Sequence, residues 1–244
     1  MIITVANNKG GVGKTTTVQN LACNELFGKV LAIDLDPQAS LTKAFGVTPS
    51  PTDHVGEVLL KNKKFADVSR TFGSVDLIPS HPELREAEGL LMGQAMSFSR
   101  LRTLLKDHPY DCVFIDCPPN LGILTTMALV ASHGLLVPLQ AGYLSYEGLA
   151  QLLEFLEVVQ EESGVSLLGV FATRYNPGTR GRLRHELVAH VKDQLKSRYL
   201  GHIRENVALD EAQSLGKSIF EYAPESNGAQ DYKKLAETVI SIIN

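Results

Sequence analysis

A glycine-rich segment close to the first residue constrains the fold of this chain more than any other feature of the sequence. Residues 9–16 read KGGVGKTT; they follow the β-branched stretch 1–6 and lead into the helical pattern 14–27. Glycines at such a junction let the backbone turn tightly and direct its N–H groups at phosphate oxygens. The following helix adds partial positive charge at its first turn. The segment therefore predicts a phosphate-binding loop between a strand and a helix.

The loop contains the residue types that a nucleoside triphosphate and its magnesium ion need. Lys14 is expected to neutralise charge on the β- and γ-phosphates, and the Thr15 hydroxyl to coordinate Mg²⁺. Asn8 replaces the glycine with which the common eight-residue pattern begins, and Lys9 is a second lysine, so the loop is a variant. We therefore predict ATP and Mg²⁺ as cofactors. The predicted nucleotide-binding residues of the loop are Lys9, Gly10, Gly11, Val12, Gly13, Lys14, Thr15 and Thr16.

Two other apolar stretches each lead to an aspartate. The stretch 30–35 is followed by Asp36 and a proline, and alternation along the strand places Asp34 and Asp36 on the same side. Asp36 is assigned to orienting the attacking water, directly or through the Mg²⁺ shell, and it also counts as a nucleotide-binding residue. Asp116 follows the apolar run 112–115, where a charge is costly without a partner, and a hydrated Mg²⁺ is the natural one. Asp116 therefore also counts as a nucleotide-binding residue. The predicted metal site is Thr15, Asp36 and Asp116, and the predicted catalytic residues are Lys9, Lys14 and Asp36.

The rest of the chain alternates between strand-like and helical patterns. Apolar strands that alternate with helices indicate a mostly parallel sheet with helices on both faces, the α/β class. We therefore predict one P-loop NTPase domain over residues 1–244, with the ligand beyond the carboxyl ends of the strands. Strands are expected at 1–6, 30–35, 75–79, 112–117, 135–139 and 167–172, and helices at 14–27, 83–106 (broken near Gly89 and Gly93), 146–162, 183–199 and 231–243.

Composition excludes several classes of protein. The net charge of −4 argues against a uniformly basic nucleic-acid binder but permits a local basic face. Three cysteines without framework spacing are typical of reduced thiols in a cytosolic protein. Cys112 and Cys117 lie in apolar surroundings, and we find neither metal-ligand spacing nor a signal peptide. No apolar run reaches the ~18 residues that cross a bilayer, so we expect no membrane partner.

Together these motifs resemble the ParA/Soj/MinD family of deviant Walker A ATPases over nearly the whole chain. Residues 9–16 are similar to the deviant motif, residues 34–38 (DLDPQ) to the first switch, and residues 115–119 (IDCPP) to the second. The order and spacing of the pieces, more than any one of them, carry the resemblance. Shorter pieces that fit the ParA branch lie at 136–140, 147–149, 211–217 and 226–235.

The resemblance implies a nucleotide cycle. Family members bind ATP and close into a sandwich homodimer, in which the lysine that matches Lys9 reaches the phosphates of the partner. This contact gives the dimer a preference for ATP over ADP, which a switch must have. A ParB-like or cargo adaptor partner stimulates slow hydrolysis, and the dimer dissociates. In ParA relatives the dimer binds DNA without sequence preference, which implies a cytoplasmic, nucleoid-associated protein that positions a plasmid, a chromosome origin or a protein assembly.

One family segment departs from the pattern. Many ParA relatives carry PRNVRLSEA where residues 204–212 read RENVALDEA, so two arginine positions are Glu205 and Ala208. Arg204 also replaces the proline that lies near the adenine. Between residues 174 and 217, however, basic residues outnumber acidic ones. We therefore hypothesise non-specific, salt-dependent DNA binding through Arg180, Arg182, Arg184, Lys192, Lys196 and Arg198.

Three alternative functions remain open. A MinD-like membrane switch needs a basic amphipathic C-terminal helix, but the tail 235–244 has no Lys or Arg. An iron–sulfur reductase component needs two cysteines per subunit at a dimer axis, whereas Cys112 and Cys117 flank a strand. A metabolic ATP-dependent ligase shares the fold, and the partition-like C-terminal segments speak against it.

Overall fold

An eight-stranded sheet forms the centre of the computed structural model, which describes residues 1–94, 96–178 and 182–244. Its strands are β1 (Ile2–Val5), β2 (Val30–Asp34), β3 (Arg70–Phe72), β4 (Val75–Ile78), β5 (Cys112–Asp116), β6 (Gly134–Gln140), β7 (Ser166–Thr173) and β8 (Tyr199–His202). In space they follow the order β3-β4-β2-β5-β1-β6-β7-β8. Neighbouring strands pair in parallel, except that β3 and β4 are antiparallel. The glycine loop after β1 therefore starts from the interior of the sheet.

Helices cover both faces of this sheet. One face packs into an apolar cluster that includes Val18 and Tyr232, and the other into a cluster that includes Leu124. Leu31 and Ala32, successive residues of β2, belong to opposite clusters, which explains why the strands are apolar throughout. The predicted fold class is confirmed. The helices are α1 (Lys14–Ala22), α2 (Ser40–Ala44), α3 (Val55–Leu59), α4 (Phe65–Val68), α5 (Leu84–Met92), α6 (Arg100–Leu104), α7 (Ile123–Ala131), α8 (Tyr143–Ser163), α9 (Arg182–Leu195), α10 (Val207–Ser214), α11 (Ile219–Tyr222) and α12 (Asn227–Ile243).

The six predicted strands are all present with closely similar bounds. The predicted helix 83–106 is broken near Gly93, as expected, but α5 runs through Gly89 without a break. Helices α2, α3, α4, α7, α10 and α11 were not predicted. Most of them are only one or two turns long, and α7 is apolar on nearly all sides, so neither kind presents a clear amphipathic period.

The predicted helix 183–199 ends earlier than expected. Helix α9 stops at Leu195, and Lys196 adopts a positive φ of 49° at the start of a 3₁₀ turn. Tyr199 then begins β8, which pairs with β7. This strand was not predicted because it is short and only half-buried, so its pattern is not apolar enough to stand out.

The C-terminal helix α12 is docked on the sheet. Tyr232, Leu235, Ala236 and Val239 are buried in the same cluster as α1. The apolar side that a membrane-surface helix needs is thus occupied, which argues against the MinD-like alternative. Across the part of the chain that the structure describes, no helix is both long and apolar enough to span a bilayer.

Candidate nucleotide-binding site

Asn7, a buried residue at the start of the glycine loop, holds the loop in place. Its Nδ2 donates to the Pro138 carbonyl of β6 at 2.8 Å, and its Oδ1 accepts from the Lys9 N–H at 3.0 Å. One side chain therefore ties the loop to a neighbouring strand and shapes its first turn. Asn7 was not predicted from the sequence. The available signal is a polar residue directly after an apolar strand, where burial demands hydrogen bonds.

Two glycines of the loop adopt left-handed backbone conformations that other residues avoid. The φ angle is 73° at Gly11 and 91° at Gly13. Gly13 is the N-cap of α1, and its carbonyl accepts from the Thr17 N–H at 2.9 Å and the Thr17 hydroxyl at 2.7 Å. Thr173, at the end of β7, donates from Oγ1 to the Val12 carbonyl at 2.9 Å. These bonds fix the loop while the first-turn N–H groups of α1, which have no intrahelical acceptor, suit an anion.

Lys14, the first residue of α1, is only 7% exposed. Its ammonium donates to the Lys9 carbonyl at 3.0 Å. Burial lowers the pKa of this ammonium, and the carboxylates of Asp116 and Asp36 oppose that shift. A phosphate beside Lys14 would oppose the shift in the same way and keep the ammonium charged.

Asp116 ends β5 and is fully buried. Its Oδ2 accepts from the Thr15 hydroxyl at 2.7 Å, whereas its Oδ1 has no hydrogen-bond partner among the described residues. Burial raises the pKa of the Asp116 carboxyl well above its usual range; Asp34 adds to this rise, and Thr15 and Lys14 oppose it.

A buried carboxylate oxygen without a partner is costly, and a hard cation would satisfy it. Carboxylate and hydroxyl oxygens are ligands that Mg²⁺ takes in proteins, usually with several waters in its shell. The donor set of Asp116 and Thr15 therefore fits the predicted magnesium ion.

The two aspartates near the end of β2 have different surroundings. Asp34 lies opposite Asp116 in the sheet and accepts from the Thr42 N–H and hydroxyl and from the Asp36 N–H. Burial raises the pKa of Asp34 to about 7. The Asp36 Oδ1 accepts from the Gln38 N–H at 2.9 Å. Since β2 ends at Asp34, Asp36 lies in the turn that follows the strand.

A cavity of about 550 Å³ opens where β1, β2, β5 and β7 end. Its volume lies within the usual range for ligand sites, roughly 300–1,000 Å³. Lys9, Val12 and Asp116 are not among the described residues that line it, and Asp116 is linked to it through Thr15. The predicted site residues that do line it are Gly10, Gly11, Gly13, Lys14, Thr15, Thr16 and Asp36.

The cavity lining also includes residues that were not predicted for the nucleotide site. Most of them belong to α2 and α10, two short helices that lie far apart in the sequence and meet only through the fold. Arg174 follows β7 and begins the segment 174–217, in which basic residues outnumber acidic ones. The unpredicted lining residues are Ser40, Lys43, Ala44, Pro119, Arg174, Asp210, Gln213 and Ser214.

A smaller cavity of about 100 Å³ adjoins the first and shares several lining residues with it, among them Gly13 and Arg174. Arg204 lines this second cavity and forms a bidentate salt bridge with Asp231. Its Nε donates to Oδ2 at 2.9 Å, and its Nη2 donates to Oδ1 at 2.7 Å. Arg204 therefore links the end of β8 to α12.

A second polar cluster lies outside these two cavities. His54, His81 and Glu83 offer ligand atoms within 4.8 Å of one another, although their sequence spacing is no metal signature. Both imidazoles accept a backbone N–H at Nδ1, His54 from Gly56 and His81 from Glu83. A neutral imidazole that accepts at Nδ1 carries its proton on Nε2, which then has no lone pair for a metal. We therefore assign these histidines to the turns that begin α3 and α5.

The thiols of Cys112 and Cys117 are buried and lie in apolar clusters on opposite faces of the sheet. Burial raises the pKa of both thiols, which is opposite to what thiolate ligation of a cluster requires. Their placement agrees with the prediction of buried apolar side chains and argues against the iron–sulfur alternative.

Helix α9 and the 3₁₀ turn after it carry the predicted DNA-binding side chains that the structure describes, and all of these are exposed. Arg182 pairs with Glu186 at 2.6 Å, and such exposed pairs contribute little stability. The remaining cations of this group have no ion pair with any described residue. Arg180 lies outside the described residues. The described cations are Arg182, Arg184, Lys192, Lys196 and Arg198.

Three features define the class of protein, which is a P-loop nucleoside triphosphatase. They are the strand β1, the glycine loop with its buried lysine, and the carboxylate at the end of the adjacent strand β5. A family model described as an AAA domain matches residues 1–168. The chromosome-partitioning ATPase Soj of Thermus thermophilus is 38% identical over 98% of this chain and 95% of its own length. The chain belongs to the ParA/Soj family of P-loop ATPases.

Solved structures support the same assignment. Apo McdA of Cyanothece matches with a TM-score of 0.87 at 26% identity, over 100% of this chain and 99% of McdA. Cobyrinic acid a,c-diamide synthase of Mycobacterium smegmatis, solved with an ATP analogue and magnesium, matches with a TM-score of 0.82 at 32% identity, over 97% and 92% of the two chains. The family resemblance predicted from the sequence is confirmed.

Proposed function

We propose that this chain is an ATP-dependent switch ATPase of the ParA type that pairs on binding ATP and positions cargo over the nucleoid. Its cofactors are ATP and Mg²⁺. The observation that carries the proposal is that Lys14, Thr15 and Asp36 converge on one cavity, and that Thr15 donates to Asp116, whose other carboxylate oxygen has no hydrogen-bond partner among the described residues. Phosphoryl transfer needs a cation that binds the phosphate, oxygen ligands that hold a metal ion and a carboxylate that orients the attacking water.

Each side chain has a proposed role in this reaction. The loop N–H groups and Lys14 would bind the phosphates, and Thr15, Asp116 and Asp36 would hold the hydrated Mg²⁺ ion. When bound, the ion offsets the charge that develops on the phosphate oxygens. Asp36 orients the attacking water. We propose that turnover is slow until an adaptor protein binds, because a switch needs a long-lived ATP state.

Self-association tests the proposal. Light scattering of the purified protein with Mg-ATP, with Mg-ADP and without nucleotide is expected to show a homodimer only with ATP. A metabolic ligase of the same fold has no need to pair only with ATP, so the measurement also separates these two functions. Equal association in all three conditions would refute the switch.

Replacement of Lys9 by alanine is expected to abolish the ATP-dependent dimer. The Kd for ATP should change less than about threefold, which corresponds to well below the ~1.4 kcal/mol of a tenfold change. The Lys9 N–H donates to Asn7, and the Lys9 carbonyl accepts from Lys14. Alanine keeps both of these backbone contacts and removes the ammonium that we propose for the phosphates of the partner. Light scattering with ATP, in an Asp36→Ala background that slows hydrolysis, measures the dimer.

The matched control is Lys61→Ala, which removes an exposed lysine outside the cavity and should pair as the parent does. If the Lys9→Ala protein pairs with ATP to the same extent, the proposed contact across the dimer is wrong.

We further propose that the dimer binds DNA through the exposed cations of α9 and the following turn. The double variant Lys192→Glu/Arg198→Glu is expected to weaken ATP-dependent binding to random-sequence duplex DNA at least about tenfold at low salt. The affinity should also depend less steeply on salt concentration, because a protein that makes fewer phosphate contacts releases fewer counterions when it binds. Gel shifts over a range of salt concentrations measure both effects.

The double variant Lys106→Glu/Lys233→Glu changes net charge by the same amount at exposed positions elsewhere and serves as the control. Equal weakening by the two double variants would show that only net charge matters, and would contradict this patch. Absence of binding by the parent at low salt would remove the DNA hypothesis altogether.

A further inference from the structure

Arg174 stands at the border of the two cavities and lines both of them. It directly follows β7, and its neighbour Thr173 is bonded to the Val12 carbonyl of the glycine loop. The guanidinium is therefore carried by a strand end that is fastened to the phosphate loop. None of the roles described above uses this cation.

The backbone holds Arg174 in a conformation that most side chains avoid. Its φ angle is 51°, in the left-handed region. On one side of it the Ala172 carbonyl accepts from the Ile203 N–H at 2.8 Å, and on the other the Tyr175 N–H donates to the Ile203 carbonyl at 3.2 Å. Thr173 and Arg174 thus form a short bulge between two backbone hydrogen bonds to Ile203. Backbone strain that the surroundings impose is often found at functional positions.

The partner of the Arg174 side chain is weakly held. Its Nη2 lies 3.5 Å from Oδ1 of Asp210 on α10, and the two side chains are 51% and 70% exposed. An exposed ion pair of this kind contributes about 0–1 kcal/mol. A phosphate offers two oxygens to the forked guanidinium, and this bidentate, charge-assisted arrangement is stronger. A nucleotide in the cavity would therefore displace Asp210 from Arg174.

We propose that Arg174 is a phosphate-binding residue of the nucleotide site, and that Asp210 holds it in place until nucleotide arrives. This inference rests on the proposed nucleotide cavity. The exchange has a consequence for α10, because this helix carries Asp210 and also supplies Gln213 and Ser214 to the cavity wall. Loss of the ion pair on nucleotide binding gives α10 a means of responding to an occupied site.

Equilibrium titration with Mg-ADP tests the exchange without hydrolysis or ATP-dependent pairing. Arg174→Gln keeps most of the side-chain length and removes the charge, and we expect it to raise the Kd for Mg-ADP about tenfold, or about 1.4 kcal/mol. Asp210→Asn removes the competing carboxylate, so the Kd should stay the same or fall. The two variants break the same ion pair, yet they are expected to differ in the direction of their effects.

If the ion pair served only to anchor α10, loss of either partner would change the Kd for Mg-ADP in the same direction. Equal weakening by Arg174→Gln and Asp210→Asn therefore overturns the proposal, and so does an unchanged Kd for Arg174→Gln. Arg102→Gln, at an exposed position on α6, is the control and should bind as the parent does. Thermal unfolding of each variant confirms that it is folded. A parent protein that does not bind Mg-ADP refutes the nucleotide site itself, and this inference with it.

Discussion

Replacement of Lys14 by alanine is expected to raise the Kd for ATP at least about 100-fold, a loss of about 2.7 kcal/mol at ~1.4 kcal/mol per tenfold. The Lys14 ammonium is buried at the first turn of α1, so its attraction to phosphate is little screened by water. Charge-assisted hydrogen bonds in such surroundings are the strong ones. Isothermal titration with Mg-ATP measures the change.

The Lys14→Ala protein should remain folded. Lys14 opposes the rise in the pKa of Asp116, so its removal lets Asp116 take a proton more readily rather than stay as an uncompensated buried charge. Thermal unfolding checks this point, and Lys61→Ala again serves as the lysine control. An ATP affinity within about threefold of the parent would contradict the assignment of Lys14, because one tenfold step is only ~1.4 kcal/mol.

Replacement of Asp36 by alanine is expected to slow ATP turnover at least about 100-fold, the lower end of what a positioned acid–base group contributes. ATP should still bind, because the loop and Lys14 are untouched. Among the described residues, the Asp36 side chain accepts a hydrogen bond from the Gln38 N–H. The Asp36 backbone N–H donates to Asp34, and alanine keeps this bond. Since hydrolysis ends the ATP state, the paired form should accumulate. Phosphate release and light scattering measure the two effects.

Asp107→Ala, at an exposed position outside the cavity, is the matched control for Asp36→Ala. Phosphate release by Asp36→Ala at the parental rate would show that another group positions the water. If the variant behaves as expected, its long-lived ATP state is also the suitable bait for isolating the adaptor and the cargo.

Local patterns were sufficient to predict the parts of the site that are continuous in sequence. The strand, the glycines and Lys14 lie within one short segment, and β5 ends at Asp116 as its apolar run predicted. The strand prediction at 30–35 was one residue too long, because β2 ends at Asp34 and a hydrogen-bonded turn that contains Asp36 follows it.

The sequence by itself determined six of the eight strands, the phosphate loop and the family. Each strand and the loop depend on residues that are neighbours along the chain, and the family follows from the order and spacing of several such pieces. Only the tertiary structure decided that α2 and α10 complete the cavity wall, that Asn7 fastens the loop to β6, and that Arg174 faces Asp210. These contacts join segments that lie far apart in sequence. The geometry of these contacts depends on how helices and strands pack, and the local periodicity of a sequence does not predict that packing.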